Sequence, residues 1–323
     1  MRAQARARSN IALVKYWGKA DSRLNVPAVG SISITLAALW SDTAVEFDAA
    51  LAADELVLDG QRRPDQLERV TRCLDLLRAR AGSARRARVT SRNNFPTGAG
   101  LASSASGFAA LVTAAAAALD LELGSRELSI FARRGSGSAA RSIFGGFVQM
   151  HAGKAADGAD SYAEPLLAPD AWPLEVVVAI TSADEKPVSS GRGMTLSAQS
   201  SPYYPAWVQT HPADLAAART AVAARDFEAL GRIAEASCLK MHAAAMAGQP
   251  ALLYWNGATV ECMGCVRALR AAGVPVFFTV DAGPQVKAVC APDARPAVEA
   301  ALADVTGVRA TLATGLGPGV ELR

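Results

Sequence analysis

The chain has 323 residues, 51% of them hydrophobic, so it is long enough to form one or two domains with a substantial core. Its formal charge is only +3, from 33 basic and 30 acidic residues, which argues against a nucleic-acid-binding protein with a concentrated basic face. The longest mostly apolar segment, Phe108 to Leu119, is too short to cross a bilayer. A local cluster of Lys and Arg for a small anion remains compatible with this charge balance.

Apolar strand patterns alternate with helical patterns along the whole chain. In chain order they predict strands near Val45, Val89 and Phe147 and over Val176–Ile180, Val274–Val280, Val286–Cys290 and Val308–Leu312, and helices over Pro64–Ala81, Ser103–Leu119, Arg126–Arg133, Ala213–Ala224, Asp226–Met246, Ala258–Ala272 and Arg295–Ala303. Because both periodicities occur, we predict an α/β or α+β fold. The polar segments 152–161 and 181–192 predict loops. The second is a candidate boundary between domains at 1–183 and 184–323, and the element order after it predicts a helix-covered antiparallel sheet.

The N-terminus carries Arg2, Arg6 and Arg8 without an acidic residue, which faintly matches a transit peptide. A basic first strand is the simpler interpretation, because a motif that starts at Ser9 leaves no room for a removable presequence. That motif, Ser9 to Lys19, is an apolar strand ending in Tyr16 and Trp17 between Lys15 and Lys19. Solvated lysines on an edge strand are the common interpretation, and cations beside a phosphate or carboxylate are the alternative.

A glycine- and serine-rich turn joins a predicted strand to the helix that begins at Ser103. It runs from Asn94 through Pro96 to Gly107. Glycines let the backbone approach an anion closely, and successive N–H groups, serine hydroxyls and the helix N-terminus can hold phosphate. The turn is not a P-loop, because no Gly-Lys-Ser/Thr follows, and it lacks the Rossmann glycine spacing. A plain strand-to-helix turn is the alternative.

Two further motifs carry candidate polar groups. In Gly135 to Gly146, a Gly-Ser-Gly-Ser turn offers N–H and hydroxyl donors, and Arg141 offers a planar fork suited to carboxylate or phosphate. A flexible turn with a surface arginine is the alternative. Asp281 follows an apolar strand and precedes Gly283 and Pro284. An aspartate there either caps the turn or orients or deprotonates a hydroxyl.

The chain has five cysteines, an odd number, and no recognisable signal peptide, which is typical of a reduced, cytosolic protein. Cys262 and Cys265 form a C-x-x-C within a predicted helix, but no second pair of ligands lies near them in the sequence. Since a zinc site needs about four ligands, we expect both thiols to pack in the interior.

Together the motifs resemble those of the diphosphomevalonate decarboxylases of the GHMP kinase superfamily. The superfamily's phosphate loop has a proline, three residues, Gly-Leu, one residue and Ser-Ser-Ala, which matches Pro96 to Ala105. The strings Asn-Ile-Ala…Lys-Tyr-Trp-Gly-Lys, ending at Lys19, and Thr-x-Asp-Ala-Gly-Pro, around Asp281, are similar to those of the decarboxylases specifically. The resemblance extends from Ser9 to Pro284.

The resemblance implies a role for each motif. Asp281 would act on the substrate hydroxyl, and Lys15 would offset charge beside it. Arg141 would hold the carboxylate end of the substrate, together with the substrate-binding residues Tyr16, Trp17, Lys19, Ser136, Gly137, Ser138 and Ser190. The ATP phosphates would be bound by Pro96, Gly98, Ala99, Gly100, Leu101, Ala102, Ser103, Ser104 and Ser106, with Ser103 also a candidate Mg²⁺ ligand. His242 aligns with a family histidine, but a lone helical histidine is usually structural, so it is left out of the site.

The resemblance also implies a fold and a reaction. The GHMP kinase architecture pairs an N-terminal α/β domain of ribosomal-protein-like fold with a ferredoxin-like C-terminal domain, and the active site lies between them. ATP and Mg²⁺ would serve to phosphorylate the 3-hydroxyl of mevalonate 5-diphosphate, and loss of phosphate and CO₂ would then give isopentenyl diphosphate. A cytosolic homodimer is expected, with neither a nucleic acid nor a membrane as partner.

The sequence departs from the family pattern at four positions. Val29 and Gly30 stand where Asn-Ser is usual, Arg92 where Glu is usual, and Gly98 where Ala is usual. These changes leave open whether the substrate is the mono- or the diphosphate. Two further hypotheses are a kinase that phosphorylates a hydroxyl without decarboxylation and a non-catalytic binding protein of the same fold. The pairing of Lys15 with Asp281 counts against the kinase, since such relatives tend to lack it.

Overall fold

The computed structural model describes residues 1–95, 102–184 and 187–323. Its strands are β1 (Arg2–Val14), β2 (Lys19–Asp21), β3 (Val26–Pro27), β4 (Ser31–Asp48), β5 (Glu55–Leu58), β6 (Gln61–Arg62), β7 (Arg86–Asn93), β8 (Phe147–Met150), β9 (Ala163–Leu167), β10 (Glu175–Ile180), β11 (Val276–Val280), β12 (Val286–Cys290), β13 (Ala310–Gly315) and β14 (Glu321–Leu322). Its helices are α1 (Pro64–Ala81), α2 (Ser103–Ala118), α3 (Ser125–Gly135), α4 (Ser190–Ser200), α5 (Tyr204–Ala224), α6 (Phe227–Met246), α7 (Gly257–Ala271) and α8 (Arg295–Ala303). The mixed α/β class predicted from the two periodicities is confirmed.

Two large sheets organise the described residues, and β2 and β3 form a separate two-stranded sheet. The first has the order β14-β1-β4-β7-β5-β6, with β8 added along β4 and β9 along β8, and its β5–β7 pair is parallel. The second has the order β11-β12-β10-β13, and all of its pairs are antiparallel. The helix-covered antiparallel sheet predicted for the C-terminal half is therefore confirmed.

The basic first strand is also confirmed. Over its first half, β1 alternates buried alanines such as Ala5 and Ala7 with outward arginines, and Arg6 donates from Nε to Asp42 Oδ1 at 2.7 Å. From Ser9 onward every residue of β1 is buried. Alternation is typical of a strand with one solvated face, and continuous burial is typical of one covered on both. The second half of β1 therefore runs into the interior of the protein.

The core of the N-terminal part forms where helices α1, α2 and α3 cover the first sheet. Small side chains let α2 lie close to β1 and β4, since Ala109, Ala110, Ala114 and Ala115 are fully buried. A second core lies between the first sheet, the second sheet and α5 and α6. On the other side of the second sheet, α7 and α8 form a third core, which contains Cys262.

Two helices differ from the prediction. α5 begins at Tyr204 rather than at the predicted Ala213. Proline lacks a backbone N–H and usually marks a helix boundary, but α5 continues through Pro212. α4 begins at Ser190, inside the segment predicted as a loop. Ser189 caps it by accepting a hydrogen bond from the Arg192 N–H at 3.3 Å, so its serines and glycines start a helix here instead of a turn.

The predicted boundary between residues 183 and 184 stays a prediction about domains. In the structure, β10 precedes that boundary but lies in the second sheet, between β12 and β13. The C-terminal β14 returns to the first sheet and pairs with β1. Each large sheet therefore contains strands from both sides of the predicted boundary. Among the described residues, none of the helices combines the length and the apolar character that a membrane span requires.

Candidate active site

A cavity of about 770 Å³ opens where the end of β1 meets the N-terminus of α2, the C-terminus of α3 and the start of α4. This volume is typical of small-molecule sites. Most of the residues proposed from the motifs line it: Lys15, Tyr16, Trp17, Lys19, Ala102, Ser103, Ser104, Ser136, Gly137, Ser138, Arg141, Ser190 and Asp281. Segments that are far apart in the sequence therefore share one site.

Lys15 and Asp281 form an ion pair in the wall of this cavity. Lys15 Nζ donates to Asp281 Oδ1 at 2.7 Å and also to the carbonyl oxygen of Ala12 at 2.7 Å. Lys15 lies just beyond β1 in the first sheet, and Asp281 directly follows β11 in the second. The lysine side chain is only 1% exposed, whereas that of Asp281 is 24% exposed. The carboxylate is thus the member of the pair that a ligand can reach.

A second lysine, absent from the sequence-based site, lies on the other carboxylate oxygen. Lys287 Nζ is 3.4 Å from Asp281 Oδ2, and its side chain is fully buried. Lys287 is part of β12, whose other residues are buried and apolar. In the sequence, Lys287 is a charged residue within an apolar strand. A charge that is buried in such a strand requires a partner. The sequence alone could not identify that partner.

The two ammonium groups decide the charge of Asp281. Burial alone would raise the pKa of this carboxyl, but the charges of Lys15 and Lys287 outweigh it and hold the pKa well below its usual range. Burial lowers the pKa of Lys287, while Asp281 opposes that change. The described arrangement is therefore an ionised carboxylate between two cations.

Helices α5 and α6 hold the backbone of the segment that carries Lys15. The Lys15 N–H donates to Ser237 Oγ at 3.0 Å, and His211 Nε2 donates to the Lys15 carbonyl oxygen at 2.9 Å. One helical turn before His211, Trp207 Nε1 donates to the Trp17 carbonyl oxygen at 3.1 Å. C-terminal helices thus position a lysine that comes from the first sheet, a function that the motifs did not predict.

Arg141 is buried in the 3-10 helix Gly137–Ile143, at 3% exposure, and its partners are neutral oxygens. Its Nη1 donates to Ser31 Oγ at 2.7 Å, and its Nε and Nη2 share Asn10 Oδ1 at 3.2 and 3.1 Å. Asn10 in turn donates from Nδ2 to the Ser138 carbonyl oxygen at 3.1 Å. Burial lowers the pKa of Arg141 to about 10, and Asp281 partly opposes this. A buried guanidinium held by neutral groups favours binding of an anion.

The Gly-Ser-Gly-Ser turn packs directly against Tyr16. A Cβ atom on Gly137 would lie 2.3 Å from the Tyr16 hydroxyl oxygen, so any other residue there would have to displace the ring. Burial raises the pKa of Tyr16 to about 12, which leaves the phenol neutral. The flanking Ser136 and Ser138 place their hydroxyl oxygens 3.5 Å apart on the cavity wall. These groups form a neutral, donor-rich surface next to the cations.

A further cluster of cations lines the cavity near Lys19. Lys19 Nζ donates to Asn25 Oδ1 at 2.6 Å, and Asn25 Nδ2 donates to the Arg134 carbonyl oxygen at 2.7 Å. Burial, and then the charge of Arg69, lowers the pKa of Lys19. Besides Arg141, four arginines line this cavity: Arg23, Arg69, Arg72 and Arg134. Such a concentration of positive charge suits a ligand with several phosphate groups.

Comparison with known proteins accounts for most of the chain. Residues 7–163 match the diphosphomevalonate decarboxylase-like N-terminal domain, and residues 176–312 match the mevalonate 5-diphosphate decarboxylase C-terminal domain. The chain belongs to the diphosphomevalonate decarboxylase family. The resemblance inferred from the motifs is therefore confirmed.

Individual relatives agree with this assignment. The chain is 39% identical over 303 residues to the diphosphomevalonate decarboxylase of Aspergillus fumigatus, an alignment that covers 88% of this chain and 75% of the relative. A structure of MDDEF in complex with MVAPP, AMPPCP and magnesium superposes with a TM-score of 0.93 at 39% identity, covering 100% of this chain and 99% of the other. A structure of the mevalonate diphosphate decarboxylase from Enterococcus faecalis, from work on ATP binding mediated by mevalonate diphosphate, gives 0.92 at 38% identity with the same coverage. The fold is that of the GHMP kinases, as the family resemblance implied.

Of the segment that matches the family's phosphate loop, only the two ends lie among the described residues. The proposed ATP-binding residues Pro96, Gly98, Ala99, Gly100 and Leu101 lie outside the described residues. Beyond them, Ala102 adopts a left-handed conformation with φ of 58°, and α2 begins at Ser103. Ser103 and Ser104 line the cavity at this helix N-terminus.

Ser106, also proposed for ATP binding, has its side chain in the interior. It is fully buried, its Oγ lies 2.7 Å from Ser41 Oγ, and it is not among the residues lining the cavity. Ser106 Oγ also donates to the carbonyl oxygen of Ser103, one helical turn earlier, at 3.3 Å. The hydroxyl of Ser106 therefore joins α2 to β4.

The structure also shows the surroundings of two positions at which the sequence motifs indicate a function less strongly. Ser190 lines the cavity at the start of α4, whereas Arg192, which was not assigned as a ligand, is exposed. His242 is buried, with Nε2 3.2 Å from the Val280 carbonyl oxygen and 3.2 Å from Trp255 Nε1. His242 thus packs beside the end of β11, behind Asp281.

Proposed function

We propose that this protein catalyses the ATP-dependent decarboxylation of mevalonate 5-diphosphate to isopentenyl diphosphate, with release of ADP, phosphate and CO₂. The observation that carries the proposal is the ion pair of buried Lys15 with partly exposed Asp281 in the same cavity as Arg141. Membership of the decarboxylase family supports the reaction type. The MVAPP, AMPPCP and magnesium bound by a structure that is 39% identical support the substrate and the nucleotide.

In the first step, the 3-hydroxyl oxygen would attack the γ-phosphorus of ATP, and the bond from that phosphorus to the bridging oxygen would break. Asp281 is a weak base, because two cations hold its pKa below the usual range. It would therefore act mainly by orienting the hydroxyl group through a hydrogen bond, and would accept its proton only late in the transfer, as the bond from oxygen to phosphorus forms. Phosphoryl transfer depends more on positioning and electrostatics than on a strong base.

In the second step, the phosphorylated 3-oxygen would leave as inorganic phosphate. The bond between C2 and the carboxylate carbon would break to release CO₂, and its electron pair would form the double bond between C2 and C3. Arg141 would hold the carboxylate before it leaves. Its guanidinium is already fixed by Asn10 and Ser31, so little conformational entropy would be lost when the substrate binds.

The chain offers suitable groups for the nucleotide and its metal ion. Hydroxyl oxygens of Ser103 and Ser104 stand at the N-terminus of α2, where N–H groups and the helix dipole favour phosphate. Mg²⁺ prefers oxygen ligands and usually binds through one or two protein groups and the phosphates of its substrate, so the Ser103 hydroxyl fits it. When bound, Mg²⁺ would neutralise charge on the nucleotide phosphates. Lys19 and the neighbouring arginines would bind the substrate diphosphate.

The assay that tests the proposal measures ADP and CO₂ separately, with ATP and either mevalonate, its 5-phosphate or its 5-diphosphate. Equal amounts of ADP and CO₂ from the diphosphate are expected. Formation of ADP without CO₂ would indicate a kinase, and preference for the monophosphate would assign the alternative decarboxylase. The variant D281N provides the control for contaminating activity. Absence of both products with all three substrates would contradict the proposal.

We further infer that the protein works as a homodimer in the cytosol, as the resemblance of its motifs implies. Light scattering coupled to size-exclusion chromatography tests the oligomeric state, with an expected mass of twice the 33.4-kDa chain. A monomer over the whole concentration range of the assay would contradict the dimer.

A further inference from the structure

Lys287 is in a position that packing alone does not favour. It faces Thr279 of β11 and Val178 of β10 across the second sheet, and its side chain is fully buried. Burying an ammonium group costs several kcal/mol unless it is paired, and replacing a buried ion pair by apolar residues is often neutral or stabilising. A lysine is therefore a poor choice for the stability of this strand.

The same lysine is excluded from direct contact with a ligand. Lys287 does not line the cavity, whereas Asp281 does. Its Nζ lies 3.4 Å from Asp281 Oδ2, the carboxylate oxygen that does not receive the 2.7 Å hydrogen bond from Lys15. Lys287 therefore acts on the reaction through other groups, and Asp281 is the cavity-lining residue with which it forms an ion pair.

We propose that Lys287 is a positioning residue for the reaction, whose ammonium group fixes the Asp281 carboxylate on Oδ2 so that Oδ1 stays paired with Lys15 at the cavity wall. This inference rests on the proposed function. With a cation on each oxygen, rotation of the carboxylate about its Cβ–Cγ bond would break two charge-assisted contacts instead of one. The second cation also keeps Asp281 ionised when an anionic substrate enters the cavity.

Other titratable groups surround Asp281, and a pH experiment must allow for them. They come from every element packed against it and are Lys15 at the end of β1, Arg141 in the 3-10 helix, Cys238 and His242 on α6, and Lys287 on β12. Comparing variants of Lys287 with wild-type protein under the same conditions leaves the first four groups and the substrate phosphates in common. Since the charge of Lys287 also acts on the pKa values of Cys238 and His242, the difference between the two pH profiles is assigned to Asp281 only where D281N removes it.

The test compares variants that remove the cation, K287M and K287Q, with K287R, which keeps it. Removing the cation is expected to lower kcat about tenfold or more while KM changes less than about threefold, because Lys287 does not touch the substrate. The acid limb of kcat/KM is expected to move to higher pH, since Asp281 loses one of its two cations. K287R is expected to retain more activity than either neutral variant. K240M, which removes a surface lysine paired with Asp214, is the matched control and should behave like wild type.

A double-mutant cycle separates this role from a structural one. In a D281N background, K287M is expected to cause little further loss of kcat, because the carboxylate through which Lys287 acts is already absent. A full additional loss in that background would contradict the proposal, as would wild-type kcat and pH profile in both neutral variants. Thermal melts show whether each variant is folded at the assay temperature. If K287M is unfolded there, K287Q is used in its place. Wild-type release of ADP and CO₂ tests the proposed function independently of these outcomes.

Discussion

Lys15 Nζ lies 2.7 Å from Asp281 Oδ1 although 266 positions separate the two residues in the chain. The lysine directly follows a strand of the first sheet, and the aspartate directly follows a strand of the second. This contact joins the two halves of the protein inside the cavity.

The first prediction concerns the charge of Asp281. D281N keeps the shape of the side chain but removes the charge that both lysines contact. We expect kcat to fall on the order of 100-fold or more and KM to change far less, because the amide neither orients the hydroxyl as a carboxylate does nor balances the two cations. Steady-state kinetics check this, with calorimetric titration of substrate as the control for binding. Turnover close to that of wild type would remove Asp281 from the catalytic site.

The second prediction concerns the geometry of Arg141. R141K keeps a positive charge but cannot contact both Asn10 and Ser31 while also offering a bidentate surface to a carboxylate. We therefore expect both R141K and R141Q to raise KM about tenfold or more and to slow the release of CO₂. The ratio of CO₂ to ADP measures whether decarboxylation is affected separately from phosphoryl transfer. Wild-type kinetics in R141K would show that a point charge is sufficient there.

The third prediction separates two sets of serines on one helix. Ser103 and Ser104 line the cavity, whereas Ser106 contacts Ser41 in the interior. In S103A/S104A we expect a large loss of ATP-dependent turnover and of stabilisation by Mg-ATP, with a decrease in stability of at most about 1 kcal/mol, since Ala102 and not a serine occupies the N-cap position. S106A is the matched control, in which a buried hydrogen bond is lost at a similar cost in stability and ATP use is retained. The opposite pattern, with ATP use lost only in S106A, would place the nucleotide elsewhere.

The fourth prediction concerns the pH dependence of stability. Burial, and then the charge of Lys15, lowers the pKa of His242 to about 3, while an unfolded histidine has a pKa of about 6.5. Between these values the unfolded state binds more protons than the folded state, so stability falls as pH falls from about 6.5 towards 3. H242Q lacks this titration. We therefore expect the free energy of unfolding of wild type, relative to H242Q, to fall by about 1.4 kcal/mol per pH unit in that window.

Urea unfolding at pH 7 and pH 5 measures this difference. At pH 7 the histidine is largely neutral in both states, so the values there record the effect of the substitution itself. Parallel decreases in the two proteins between pH 7 and pH 5 would mean that His242 is not held neutral by its surroundings.

Local signals were sufficient to predict much of the secondary structure. The bounds predicted for α1 and α8 agree with those observed, because an apolar face with a 3.6-residue period is encoded within each segment. α1 also begins with Pro64 and ends at Gly82 in a left-handed conformation, two residues with local stereochemical reasons for those places. Errors occurred at α4 and α5, where a proline and several glycines and serines lie inside helices that tertiary packing completes.

The active site shows the same division between features that the sequence encodes locally and features that depend on tertiary packing. The amino-acid sequence by itself determined which residue types cluster in motifs: the lysine after an apolar strand, the serines at a helix start, the buried-site arginine and the aspartate after β11. Tertiary structure alone decided which groups meet: Lys287 with Asp281, His211 with the Lys15 carbonyl, Asn10 with Arg141, and Ser106 with Ser41 rather than the cavity. A pattern along the chain reports that a buried polar group needs a partner. The partner itself is selected by how β1, β11 and β12 pack against one another, and that packing depends on contacts between residues more than two hundred positions apart.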